Sequence, residues 1–353
     1  MRLLGSAYGE AIKAAARALA LAAELALPEP ARALGYRGAA RCCLGDRDGL
    51  SDMRRALQLA IEQGQGHAAA ALHNNLAASM WDYEGPQAAL ERCRDGIDFS
   101  ERRGVTSAAL RIAAMSTTFV AEVGQTEQAL AEAEPLAERL LADGNIAFTE
   151  PRALQLRLLA ERGAHERAPA AGDIVARARE SGEPQLYAVA FAAAARLLLA
   201  QGSASQAQAL LVELEQVPGI RAEPYYAPAL PELVRTALAL GDRELAARLV
   251  AGIEPRTPLA AHALAACRAQ LAEAAGDPSQ AVASYAEAAE RWREFGNVPE
   301  RAYALLGQAR CTLTLGHAGA EVPLADARAL FASMGYKAAL DESEALLQRT
   351  AAA

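Results

Sequence analysis

Residues that build β-sheets are scarce in this chain of 353 residues: aromatics make up 5%, and Val, Ile and Thr are thinly spread. Strands draw on β-branched and aromatic side chains, which argues against a β-sandwich or β-barrel and, nearly as firmly, against a parallel α/β sheet. Lysine is scarcer still, with only Lys13 and Lys337 among 35 basic residues, and the formal net charge is −8. Without a basic face to neutralise phosphates, no nucleic-acid partner is expected. No run reaches the roughly 18 uncharged apolar residues of a membrane span, and Glu10, Lys13, Arg17 and Glu24 interrupt the first apolar stretch. Neither a signal peptide nor a membrane association is therefore expected. The five cysteines, Cys42, Cys43, Cys93, Cys267 and Cys311, form no Cys-x-x-Cys pair. They read as small core residues of a cytoplasmic protein.

Chemistry-bearing motifs are missing as well. Neither lysine follows a glycine, so there is no phosphate-binding loop of the Gly-x-x-x-x-Gly-Lys type. His165-Glu166 begins a His-Glu-x-x-His pattern, but Pro169 stands where the second histidine would be, and His67 and His73 lie six apart on different helix faces. There is no Gly-x-Ser-x-Gly elbow. The expectation is a non-enzyme without metal or cofactor.

What the chain has in excess is alanine, 90 residues, and leucine, 48 residues, both strong helix formers. At 52% hydrophobic and 22% charged it has enough apolar surface to bury a core. Its glycines are periodic. Gly45, Gly85, Gly124, Gly163, Gly202, Gly241, Gly276 and Gly316 are spaced by 40, 39, 39, 39, 39, 35 and 40 residues. A second series falls between them: Gly64 or Gly66, Gly104, Gly144, Gly182, Gly219, Gly296 and Gly335. Each follows a stretch of helical periodicity, as a left-handed helix cap requires, and Pro28, Pro151, Pro184, Pro258 and Pro299 are placed to open helices.

The unit is thus helix, Gly turn, helix, Gly or Pro turn. First helices are predicted at 29–44, 67–83, 106–122, 147–162, 185–200, 226–240, 258–275 and 299–315. Second helices are predicted at 50–63, 87–102, 126–142, 166–180, 204–216, 243–252, 279–295 and 322–334. Residues 1–27 read as a partial N-terminal repeat with a helix near 7–26. Residues 28–336 hold about eight repeats of ~39 residues, and 337–353 form a capping helix and tail. Pro228 and Pro231 make the sixth repeat irregular.

Within second helices the residues alternate small, large, small, as in Ala281, Tyr285 and Ala288 after Gly276-Asp277, or Gly85, Ala89, Cys93 and Gly96. Small residues let paired helices approach and the larger one fills the groove. This pattern resembles the tetratricopeptide repeat (TPR) family over nearly the whole chain. The period, longer than 34, is similar to the arrays at the C-termini of bacterial ATPase-coupled LuxR-like and AfsR-like regulators and class III adenylate/guanylate cyclase-like proteins. The stretches PARALGYRGAARCCLGDRDGLSDMRRALQLA and LHNNLAASMWDYEGPQAALERCRDGIDFSERRG most resemble the cyclase-linked arrays. The resemblance implies an all-α, right-handed α-α superhelix of about eight helical pairs with a C-terminal cap. It also implies a non-catalytic scaffold binding a peptide or protein in its concave groove, as a regulatory module of a bacterial signalling protein. A second reading makes the chain the C-terminal regulatory part of a nucleotide cyclase or ATPase-type transcriptional regulator. A third hides an enzyme site in the groove.

Six residues before the turn glycine stand Arg157, Arg196, Arg235 and Arg310; other repeats carry Ala39, Ser79, Thr118 and Gln270 there. Residues in register share one surface of a solenoid, and in TPR arrays this phase of the first helix faces the groove. A ladder of guanidiniums suits an acidic ligand; equally, each could pair with an acidic neighbour or a helix C-terminus. In His73-Asn74-Asn75, asparagine is a poor helix-interior residue. TPR arrays that bind peptides use an asparagine at the place of Asn75 to grip the ligand backbone, since an amide donates and accepts at once. A helix–helix hydrogen bond or simple exposure is the alternative. An exposed edge repeat could also pair with a second copy as a homodimer.

Overall fold

A computed structural model describes residues 7–352, which form eighteen α-helices and three short 3-10 turns with no strand among them. The first six residues of the N-terminal segment and the last residue of the tail lie outside this range. In chain order the helices are α1 (Tyr8–Glu24), α2 (Ala31–Cys43), α3 (Gly49–Glu62), α4 (Gly66–Glu84), α5 (Pro86–Arg102), α6 (Thr106–Glu122), α7 (Thr126–Ala142), α8 (Thr149–Glu161) and α9 (Ala171–Ser181). They continue with α10 (Pro184–Ala200), α11 (Ala204–Gln216), α12 (Tyr226–Ala239), α13 (Arg243–Val250), α14 (Pro258–Ala274), α15 (Pro278–Phe295), α16 (Val298–Thr314), α17 (Glu321–Met334) and α18 (Lys337–Ala352). The all-α repeat of helical pairs is thus present, with most helix ends within one or two residues of the glycine and proline signals.

The turns explain that agreement. Both glycine series have positive φ, as Gly276 at φ 80 does, a conformation that costs other residues about 1 kcal/mol. Asp242 and Asp277, directly after their glycines, cap the next helix by accepting from the backbone N–H of Leu245 and Gln280. Two starts differ from expectation. Helix α9 begins at Ala171 instead of 166, because Pro169 holds Ala168 extended and leaves only a 3-10 turn over His165–Arg167. Helix α2 begins after Pro30, its N-cap, so Pro28 lies outside the helix.

The helices gather into two compact units. Unit 1 comprises residues 1–119 with 256–259; unit 2 comprises 120–255 with 260–353. In unit 1, Leu34, Leu50, Met53, Leu57, Leu72 and Leu76 form the core between helix pairs. Burying each such side chain contributes about 1.5–3 kcal/mol. In unit 2, Leu156, Phe191, Leu211, Tyr226, Leu230, Leu233 and Leu249 do the same. The small-large-small residues are where helices touch: Ala281, Tyr285 and Ala288 are buried, and a side chain at Gly307 of α16 would stand 2.4 Å from the Tyr285 ring. Cys42, Cys93, Cys267 and Cys311 are buried and Cys43 half-buried, all unbridged.

One helix departs from the amphipathic rule. A surface helix has one apolar stripe, but of the residues in α8 only Glu150 and Arg157 keep partial exposure. It packs against α7, α9, α10 and α18. Helix α8 is thus largely buried within unit 2, and its register residue Arg157 keeps partial exposure.

Candidate binding cleft and the arginine ladder

In unit 1 the N-terminal half of α4 lies beside α2. Gly35 permits this approach: a side chain there would meet Leu72 at 2.2 Å. Beyond that contact the helices part into a cleft of about 490 Å³ lined by Arg32, Tyr36, Gln65, His67, Leu72 and Asn75, among others. The Arg32 guanidinium donates to the Tyr36 hydroxyl at 3.1 Å and stands 5.8 Å from its ring. Asn75 Oδ1 accepts from Asn74 Nδ2 at 3.4 Å, while the Asn75 amide N–H groups have no partner among the described residues. The helix–helix hydrogen bond considered for Asn75 is therefore absent among the described residues, and Asn75 lines the cleft.

His73, two residues before Asn75 and on another side of α4, has the opposite character. It is 4% exposed, packed against Gly96 and the Phe99 ring at 5.2 Å. Burial, helped by the positive charge of Arg92, pushes its pKa down to about 4. It is a neutral core histidine. Asp82, further along α4, is a carboxylate whose burial raises its pKa to about 7.

The arginine ladder lies mostly in contact with carboxylates of the same unit. Arg196 of α10 donates from Nε to Glu161 at 2.7 Å, and Glu161 accepts also from the Tyr303 hydroxyl at 2.6 Å. Arg310 of α16 bonds Glu273 at 2.7 Å and Glu342 at 2.7 Å. Arg235 of α12 makes a bidentate pair with Glu300 at 2.7 and 2.6 Å and lies 4.1 Å over the Tyr303 ring. Arg157 of α8 is the exception, with a single contact at 3.5 Å to Glu232. Gln270 is buried and donates to the Pro231 carbonyl at 3.3 Å. Thr118 of α6 is half-buried in unit 1.

The electrostatics follow from these partners. Burial alone would raise the Glu161 carboxyl, but the Arg196 charge and hydrogen bond, with the Tyr303 hydroxyl and the Arg235 charge, outweigh it and hold it below the ordinary range. Glu232 has only the loose Arg157 contact, and burial wins: its pKa is raised. The same opposition holds Glu273 low beside Arg310. Each well-paired arginine is stabilised in its charged form against a desolvation that would remove it.

The register positions were legible in the sequence; their partners were not. A signal was available, however. Arg196 pairs with Glu161 and Arg310 with Glu273, each an acidic residue near the end of the preceding first helix, 35 and 37 residues back. Gln270 reaches Pro231, 39 residues back. The register residues thus tie one repeat to the one before it. Glu300 and Tyr303 are different, since they come from α16 and meet Arg235 and Glu161 across 65 and 142 residues. No repeat spacing points to them. Tyr226, at the start of α12 in the irregular sixth repeat, is a core residue whose hydroxyl donates to the Leu249 carbonyl at 3.0 Å.

Among the described residues there is no group of three or more His, Cys, Asp or Glu placed to hold a metal, and no helix long and apolar enough to cross a membrane. No protein-family model matches the sequence, and no curated protein matches it. Among solved structures the chain is similar to a "circular tandem repeat protein with novel repeat topology and enhanced subunit contact surfaces". The two are 16% identical over 96% of this chain and 87% of the other, with a TM-score of 0.27.

Proposed function

We propose that this chain is a TPR-like, non-catalytic scaffold that binds a peptide or protein segment in the α2–α4 cleft of unit 1. The observation that carries this reading is Asn75. Its amide donors are unpaired at the wall of a 490 Å³ cleft, on a helix where asparagine has no structural bond to a neighbouring helix. An amide so placed can pair with the backbone of an extended ligand. Arg32 at the same cleft supplies a fork for a carboxylate, which favours an acidic ligand. In this reading the arginine ladder of unit 2 mostly holds repeats together, and Gln270 does the same. The resemblance to arrays of bacterial signalling proteins suggests a cytoplasmic regulatory module, working alone or as the regulatory part of a cyclase or ATPase-type regulator.

The test is selection of a random dodecapeptide phage library on the full chain, followed by affinity measurement of enriched peptides. N75A is expected to weaken binding about tenfold or more, the effect of losing hydrogen bonds made only by the ligand, with the melting temperature unchanged. Equal binding by N75A, or a large drop in its melting temperature, contradicts the assignment.

A further inference from the structure

Unit 2 holds a polar cluster in which nearly every group is satisfied, and the exceptions converge. Glu161 has Arg196 and Tyr303; Arg235 and Glu300 have each other. Three groups remain. The Arg157 guanidinium has five N–H donors and only the 3.5 Å contact to Glu232. Glu232 Oε1 is buried with no hydrogen-bond partner among the described residues. Tyr336, at the start of α18, is only 3% exposed, and its hydroxyl also has no partner among the described residues, although it lies within electrostatic range of Arg157, Glu161, Glu232 and Glu300. These groups come from α8, α12 and the α17–α18 turn, so the fold and not one local motif brings them together. The Arg157 side chain keeps 31% exposure, which leaves the spot within reach of solutes.

The unsatisfied groups specify a ligand. Arg157 and the Tyr336 hydroxyl offer donors; Glu232 offers an acceptor. A bare anion is disfavoured, because Arg157, Arg196 and Arg235 already face Glu161, Glu232 and Glu300, with Glu122 also in range of Arg157. A bare cation would leave the guanidinium donors unused. We propose that this site binds the zwitterionic main chain of a small α-amino acid, its carboxylate on Arg157 and the Tyr336 hydroxyl and its ammonium on Glu232. A zwitterion adds no net charge to the cluster. Rotation about the soft terminal torsion of the glutamate presents Oε1 to the ammonium. The site is separate from the unit 1 cleft and does not rest on it.

The test uses the full chain, calorimetry and thermal melts with L-alanine as probe, beside N-acetyl-L-alanine, which lacks the ammonium, and L-alaninamide, which lacks the carboxylate. L-alanine is expected to bind and raise the melting temperature, and neither blocked analogue to do so. E232Q and Y336F keep the shape of the site. E232Q is expected to weaken L-alanine binding about tenfold or more, as loss of a charged hydrogen bond does, and Y336F by less. R157K, which keeps the charge but not the fork, is a further variant of intermediate effect. If L-alanine gives no binding, so that the groups are satisfied by water alone, the proposal fails. It fails equally if a blocked analogue matches L-alanine, or if a folded E232Q binds L-alanine as the parent does.

Discussion

The two units treat the same register of the repeat in opposite ways. In unit 1 the positions six before the turn glycine are Ala39, Ser79 and Thr118; in unit 2 they are Arg157, Arg196, Arg235, Gln270 and Arg310. Ala39 and Ser79 are buried small residues with no side chain long enough to bridge repeats, and the open cleft of unit 1 lies elsewhere, between the N-terminal parts of α2 and α4. Long guanidiniums reach across to the next carboxylate, and with Glu161, Glu300 and Tyr303 they occupy the inner side of unit 2. A periodic arginine is therefore not in itself a ligand-binding feature. Its role depends on whether the chain supplies the matching carboxylate, as it does for Arg196, Arg235 and Arg310 and only loosely for Arg157.

The largest effect should come from breaking a pair in unit 2. R196M leaves the nearly buried Glu161 with the Tyr303 hydroxyl as its remaining donor. Removing one partner of a buried pair costs about 4 kcal/mol, to be read as a fall in unfolding free energy in urea. The double variant R196M/E161Q should recover much of this. If R196M is neutral, the pair is not structural and the contrast between the units fails.

The next effect belongs to unit 1 and its pH response. His73 has a folded pKa of about 4 against about 6.5 unfolded. A folded value below the unfolded one means that the unfolded chain takes up the proton first. Stability is full above about 6.5 and falls as pH drops towards 4, by about 3 kcal/mol in all. Asp82 runs the other way, since its folded pKa of about 7 lies above its ordinary value. Its cost grows as pH climbs from 4 to 7, so D82N should raise the melting temperature at pH 8 and change little at pH 4. Melts across this range separate the two slopes.

A smaller loss is expected from closing the helix contact in unit 2. G307A would set a methyl against the Tyr285 ring, an overpacking that costs about 2 kcal/mol. A thermal melt checks this, and Y285A/G307A should be less impaired than the two single losses added. The smallest effect on stability is that of N75A, within about 0.5 kcal/mol of the parent, because Asn75 makes no bond to another helix.

Much of the fold could be read directly from the residues. Glycines with positive φ, the Asp242 and Asp277 caps and the alanines at helix contacts all act over a few residues, so their spacing exposes them. The start of α9 was misread because one proline, Pro169, overrides a good helical pattern. The site was only half legible. Asn75 stood out as a residue out of place in a helix, and the arginines as a repeat. The open cleft depends on Gly35 meeting Leu72, a contact between two helices that no single stretch contains. Glu300 and Tyr303 are ordinary helix residues until α16 is placed against α8 and α12. Long-range pairing of this kind leaves no periodic trace.

The most direct test of the contrast is a hydrogen-exchange footprint of a library-selected dodecapeptide on the full chain. Protection confined to the N-terminal part of α2 and to residues 63–75, with α8, α12 and α16 unchanged, is the predicted result. Protection on α8, α12 and α16 with none at Asn75 would contradict it, and would make the arginine ladder the ligand surface.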